Sequence, residues 1–190
     1  MMNAEGGKTM TGHEGHLGMQ PESGETSDPT VDHTKMNERL EVSKKFQGQL
    51  KEVFEGYTLL KDALVADNAD KAQSSAKEIG ESLSKVDMKL LEDEKAHNHW
   101  MTLQKEIKAS ANAIANASEI AEQRDHFKHL SAHMISSVQL FGIDITVYTN
   151  YCPMADSNKG AYWLSLEKEI RNPYYGEAML TCGEVKATLQ

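Results

Sequence analysis

The stretch FQGQLKEVFEGYTLLKDAL, residues 46–64, decides the architecture. Its apolar residues Phe46, Leu50, Val53, Phe54, Tyr57, Leu60 and Leu64 return every three or four positions and, with Leu40 upstream, line one face of a helix. A half-buried strand would alternate, and the Gln, Lys and Glu residues between the apolar positions do not. Asp67-Asn68-Ala69-Asp70 then breaks the pattern and offers N-cap side chains to a second helix. Ile79, Leu83, Val86, Leu90 and Leu91 mark that helix, and the polar run to Asn98 reads as the next turn. Trp100, Leu103, Ile107 and Ile114 mark a third helix, with Asn116-Ala117-Ser118 as its boundary. Ile120, Phe127, Leu130, Met134, Val138 and Phe141 mark a fourth, which Gly142 caps. No proline interrupts residues 35–142. Four helices with short connections predict a mainly α fold, an up-and-down four-helix bundle over 35–142.

The flanks differ from this core. Residues 1–34 hold six of the 13 glycines, two of the four prolines and no aromatic residue, and six acids face one lysine. Such a composition buries too little apolar area to offset its ordering entropy, so the expectation is a disordered arm. Residues 143–190 carry the other two prolines, six aromatic residues between Tyr148 and Tyr175, and both cysteines. Ile143, Ile145 and Val147 alternate with polar residues and predict a short strand. The whole segment reads as a small irregular C-terminal cap with short strands, packed on the bundle as one domain with it.

Twenty Lys and Arg against 29 Asp and Glu give a formal charge of −9. That balance argues against a nucleic-acid binder, which needs a basic face to release counterions, and against docking on anionic lipid. No run approaches the roughly 18 apolar residues of a membrane span, so no membrane insertion of this chain is expected. Residues 1–10 lack a basic start and an apolar core, so a signal or anchor is expected to be absent or already removed. Phosphate-loop, dinucleotide, serine-hydrolase and His-Glu-x-x-His signatures are missing, so the chain is read as a non-enzyme with no catalytic residues.

Sulfur and imidazole carry the remaining chemistry. In the arm, Met10, His13, His16 and Met19 recur every third residue among glycines, a pattern suited to wrapping a soft ion. In the cap, Cys152-Pro153-Met154 and Met179-Leu180-Thr181-Cys182 each bring one thiol and one thioether, a donor set that selects monovalent copper or silver. The alternatives on spacing alone are a Cys152–Cys182 disulfide and two buried free thiols. A disulfide closing a loop of that length is worth about 3 to 4 kcal/mol. A Cys-Pro pair also ligates haem in some proteins, which offers a third role for Cys152. His126, His129 and His133 form a stripe bordering the core of the fourth helix, and His126, nearest the apolar edge, is placed to face the cap. His97 lies four residues before Met101 on the third helix, a weak additional ligand.

The cap motifs YCPMA (151–155), NKGAYWLS (158–165), IRNPYYG (170–176) and MLTCG (179–183), with QRDHF (123–127) and HNHWM (97–101), resemble a Bacteroidota domain of unknown function. That domain occurs as a C-terminal extension of periplasmic adaptor subunits of Cus-type copper and silver efflux systems, and as a free-standing secreted protein. The similarity spans roughly residues 37–186. It implies a periplasmic or extracytoplasmic setting, a heavy-metal resistance context, and a heavy-metal efflux adaptor or other copper-handling protein as partner. Cys152, Met154, Met179, Cys182, His97 and His126 match its recurrent positions. The resulting expectation is a Cu(I) or Ag(I) accessory protein without an organic cofactor. It would capture the ion through Met10, His13, His16 and Met19, hold it through Cys152, Met154 and Cys182 with Met179 or His126, and hand it on. The alternative is a structural module that docks on an efflux or envelope partner and is stapled by a Cys152–Cys182 disulfide.

Overall fold

The computed structural model describes residues 39–190. The arm and its Met10, His13, His16 and Met19 lie outside the described residues. Four long helices follow in order: α1 (Lys44–Val65), α2 (Ala69–Ser84), α3 (Glu94–Asn116) and α4 (Ile120–Phe141). The first three begin where a short polar side chain takes up an orphan backbone donor. Ser43 accepts from the Phe46 amide at 3.3 Å, Asn68 from Lys71 at 2.9 Å and Asp93 from Ala96 at 2.8 Å. Gly142 ends α4 at φ 72°, the left-handed conformation its position requires. Each helix packs on the next in sequence, as an up-and-down bundle demands. Phe46, Leu50, Val53, Phe54, Tyr57, Leu60 and Leu64 are all buried, so the apolar face of α1 is the centre of the core. At one end of the bundle Phe46, Trp100 and Phe141 meet edge to face, with ring centroids 5.2 to 5.9 Å apart.

Four expectations need correction. Leu40 lies ahead of α1, which starts at Lys44, and its amide donates to the Leu140 carbonyl at 2.7 Å. The polar run read as a turn to Asn98 is helical from Glu94, because Asp93 caps α3 there. The second helix stops at Ser84; Val86 and Leu91 are buried from the connection between α2 and α3, which includes a 3-10 turn at Met88–Leu90. Their apolar spacing signals burial, and a chain turning over the end of a bundle buries side chains as well as a helix does. The strand predicted at 143–147 is displaced downstream. Ile143 and Val147 are buried, but the Ile145 amide donates to the Ile143 carbonyl at 2.6 Å, which curls the backbone out of any ladder.

The strand forms instead at β1 (Val147–Cys152). It pairs antiparallel with β2 (Ala161–Ser165) and with β3 (Glu184–Leu189), in the order β2-β1-β3. β1 is therefore the middle strand, and the β3 ladder is irregular between Thr149 and Asn150. β2 lies against α4. Tyr57 locks this arrangement. Its hydroxyl accepts from the Leu164 amide of β2 at 3.0 Å and shares a 2.8 Å hydrogen bond with Ser131 of α4. Burial keeps the phenol protonated far above the usual tyrosine range, despite both hydrogen bonds.

Replacing Tyr57 by Phe strands the Leu164 amide in the core and takes one partner from the Ser131 hydroxyl. The expected cost is about 1 to 3 kcal/mol, read as a lowered urea midpoint with an unchanged slope.

Candidate functional site

Cys152 closes the middle strand and is fully buried. Cys182 sits in the turn just before β3 and is half-buried. The antiparallel pairing of Tyr151 with Glu184 carries the two residues alongside each other. Their sulfurs lie 3.1 Å apart, across thirty residues of sequence, and both thiols are free. The pKa of the Cys182 thiol is raised, chiefly by the hydrogen bond it shares with Cys152, with burial and the charge of Cys152 adding.

The turn bearing Cys182 is held by Asn172, which is fully buried. The Asn172 side-chain amide donates to the Cys182 carbonyl at 2.8 Å, and its carbonyl oxygen accepts from the Tyr174 amide at 2.8 Å. Its backbone amide donates to Leu180 at 2.8 Å. One asparagine thus ties the start of the NPYYG run to both sides of the turn. Gly183 follows at φ 140°, and a Cβ there would lie 2.8 Å from the ring of Trp163. Only glycine allows the chain past that indole.

The methionines flank the sulfur pair on two loops. Met154 lies two residues beyond Cys152 and is 44% exposed. Met179 lies three residues before Cys182, and its carbonyl accepts from the Cys182 amide at 3.1 Å. The Tyr175 hydroxyl donates to the Met154 carbonyl at 2.5 Å, so it fastens one loop to the other. Its ionisation is pushed up by burial first and then by the charges of Cys152 and Cys182, which sets the phenol beside the thiols. After Met154 the backbone takes three consecutive left-handed residues, Asp156, Ser157 and Asn158. Lys128 of α4 pins this strained turn through a 2.6 Å ion pair with Asp156 while also pairing with Asp125 at 2.7 Å. Burial alone would lower the Lys128 pKa, but the two carboxylates outweigh it and the pKa is raised.

The imidazoles are not brought to the sulfurs. Arg124, Phe127, Lys128 and Ser131 are the α4 residues that meet the cap or its Tyr57 anchor. His126 lies about 150° around the helix from their mean direction. Its ring is 4.0 Å from Glu122, one turn back on the same helix. His126 is therefore dropped from the ligand set; the apolar edge it borders is the wrong side of α4. His133, on the same stripe, is half-buried with its pKa lowered by burial, and the nearby Glu106 belongs to α3. His97 sits in the first turn of α3, at the end of the bundle where Trp100 meets Phe141. That is about 20 Å along α4 from Phe127, which packs on the cap residue Tyr174. Among the described residues, no group of three or more His, Cys, Asp and Glu side chains is arranged to hold a metal ion.

Sequence reasoning missed the residues that build the site. Asn172, Tyr175 and Arg124 supply no sulfur and follow no apolar period. Arg124 donates to the Pro173 carbonyl at 2.8 Å, to the Leu64 carbonyl at 2.8 Å and to Asp67 at 2.5 Å, which joins the NPYYG run to the turn between α1 and α2. Gly176 fits at φ 56° beneath that pair, where a Cβ would lie 2.5 Å from the Arg124 guanidinium and the Asp67 carboxylate.

Fold and site together define a helical-bundle protein whose strand-built cap presents a pair of free thiols. Residues 53–146, just under half of the chain, match the family model described as a protein of unknown function (DUF3347). The match runs from Val53 in α1 through α4 and ends before β1, so the sulfur-bearing cap lies beyond it. No curated protein and no solved structure matches the chain. Among the described residues, no helix is long and apolar enough to cross a membrane.

Two outcomes follow from this construction. Asn172→Ala should free the Cys182 turn, so that its thiol reacts faster with an alkylating reagent while the helical circular dichroism is retained. Asp67 is held below its ordinary pKa of 3.8, first by the Arg124 hydrogen bond and then by the Glu177 amide. A depressed carboxylate pKa adds stability above the unfolded value and loses it as pH falls through the folded one. The urea midpoint of the parent should therefore drop more steeply below about pH 4 than that of Asp67→Asn.

Proposed function

We propose that the chain is an extracytoplasmic carrier of a soft monovalent ion, Cu(I) or Ag(I), held between the thiolates of Cys152 and Cys182. The observation that carries this reading is the 3.1 Å approach of two free sulfurs from distant segments of the cap. Thiolate donors favour such ions over hard cations, and thioethers extend the preference. Met154 and Met179 belong to the two loops joined by Tyr175, and either would supply a third donor. Met154 is also the exposed member, so it suits the first contact with an arriving or departing ion. A trigonal site with metal–sulfur bonds of about 2.3 Å spreads two thiolates to about 4 Å, so the pair must open by about 1 Å. The movement falls to Cys182, since Cys152 is fixed in the middle strand.

Met10, His13, His16 and Met19 would capture the ion and raise its concentration near the thiols. Likeness of the cap motifs to the extension of copper and silver efflux adaptors favours an adaptor or another copper-handling protein as the acceptor.

The test is a competition titration of the reduced protein with Cu(I) against a chelator of known affinity. The first ion taken up by the parent should bind at the thiols, and Cys152→Ser/Cys182→Ser should lose affinity for that first ion by at least the roughly 100-fold known for outer-shell losses. Because both thiols must deprotonate and that of Cys182 is raised from its ordinary 9.0, apparent affinity should climb with pH across the neutral range. Equal affinity of parent and double variant would remove the folded site.

A further inference from the structure

The same sulfurs stand about 1 Å from a covalent bond, whose length is about 2.05 Å. They sit between two states, nearer together than a shared metal allows and farther apart than a disulfide. Their environments differ. Cys152 is sealed at the end of the middle strand, whereas Cys182 is half-exposed in a turn beside a glycine. A reagent from solvent therefore meets Cys182, and Cys152 is the nearest nucleophile behind it.

We propose that the pair performs ordered thiol–disulfide exchange with a small external disulfide, with Cys182 as the entry thiol and Cys152 as the resolving thiol. The Cys182 thiolate attacks one sulfur of the external disulfide, forms a mixed disulfide and expels one thiolate. The Cys152 thiolate then attacks the Cys182 sulfur, closes Cys152–Cys182 and expels the second. The chain loses two electrons and two protons; the external disulfide gains both and leaves as two thiols. Reduction retraces the path. The turn held by Asn172 and ending in Gly183 is the part that gives, as in metal binding. In the part of the inference that rests on the proposed metal site, closure removes both thiolate donors at once, so the cap holds the ion only in its reduced state.

The experiment pulses the reduced full chain with glutathione disulfide, quenches in acid and maps adducts by peptide mass. A transient adduct on Cys182, then an internal disulfide with release of both glutathione thiols, is expected. Cys152→Ser should stop at a stable Cys182 adduct, and Cys182→Ser should react about tenfold more slowly because its remaining thiol is buried. An adduct that maps first to Cys152, or a parent that stalls at the mixed disulfide, overturns the proposal; both are read on the parent and do not depend on a variant folding. A second arm offers Ag(I) to the oxidised and reduced parent. One more Ag(I) bound tightly by the reduced form than by the oxidised form supports the coupling. Normal exchange with equal Ag(I) stoichiometry and affinity in both forms would refute the metal reading and leave the exchange standing.

Discussion

A buried phenol sets the geometry on which the site depends. Tyr57 belongs to the central helix face, yet its hydroxyl is shared between Ser131 of α4 and the Leu164 amide of β2. Removing that hydroxyl would leave the Leu164 amide unsatisfied in the core, which costs more than an ordinary hydrogen bond gains. The bond therefore fixes β2 against α4. Because β1 pairs with β2, it also fixes the depth at which β1 presents Cys152. Tyr57 stacks on Phe127 at 5.3 Å, Phe127 meets Tyr174 at 5.7 Å, and Tyr174 meets Trp163 at 6.0 Å. This aromatic chain runs from the bundle to the inner side of the sheet. The rigid half of the sulfur pair is thus an extension of the hydrophobic core.

The other half is held by polar contacts. Asn172 binds the turn of Cys182, Tyr175 binds the loop of Met154, and Arg124 binds the segment between them to the α1–α2 turn. Such contacts rely on a few oriented hydrogen bonds and yield more readily than packed rings. One sulfur on a stiff strand and one on a hinged turn is a useful division. It lets the separation between them change by about an ångström, enough for a soft ion to enter or a disulfide to close, without disturbing the bundle.

The helices were legible because burial along them repeats with the helical period, and Asn68 and Gly142 stand where capping chemistry puts them; Ser43 and Asp93 cap α1 and α3 from positions the apolar pattern did not single out. The segment between α2 and α3 was less so, since Val86 and Leu91 are buried without belonging to a helix. The meeting of Cys152 and Cys182 was legible only through donor chemistry. Their spacing says nothing until the pairing of β1 with β3 is known. His126 shows the opposite failure. Its angle to the apolar face was readable, but which side of α4 the cap would occupy was not, and Arg124 and Lys128 lie on the side that it does. Asn172 and Tyr175 had only a weak signal, a Pro- and Gly-punctuated run too polar to be core and too aromatic to be a simple loop.

X-ray absorption at the copper edge of the reduced protein loaded with one equivalent of Cu(I) probes the central claim most directly. A shell of two or three sulfurs at about 2.3 Å, whose sulfur count falls when both cysteines are replaced by serine, is the predicted result. A shell that is unchanged in the double variant, whatever its donors, would contradict it.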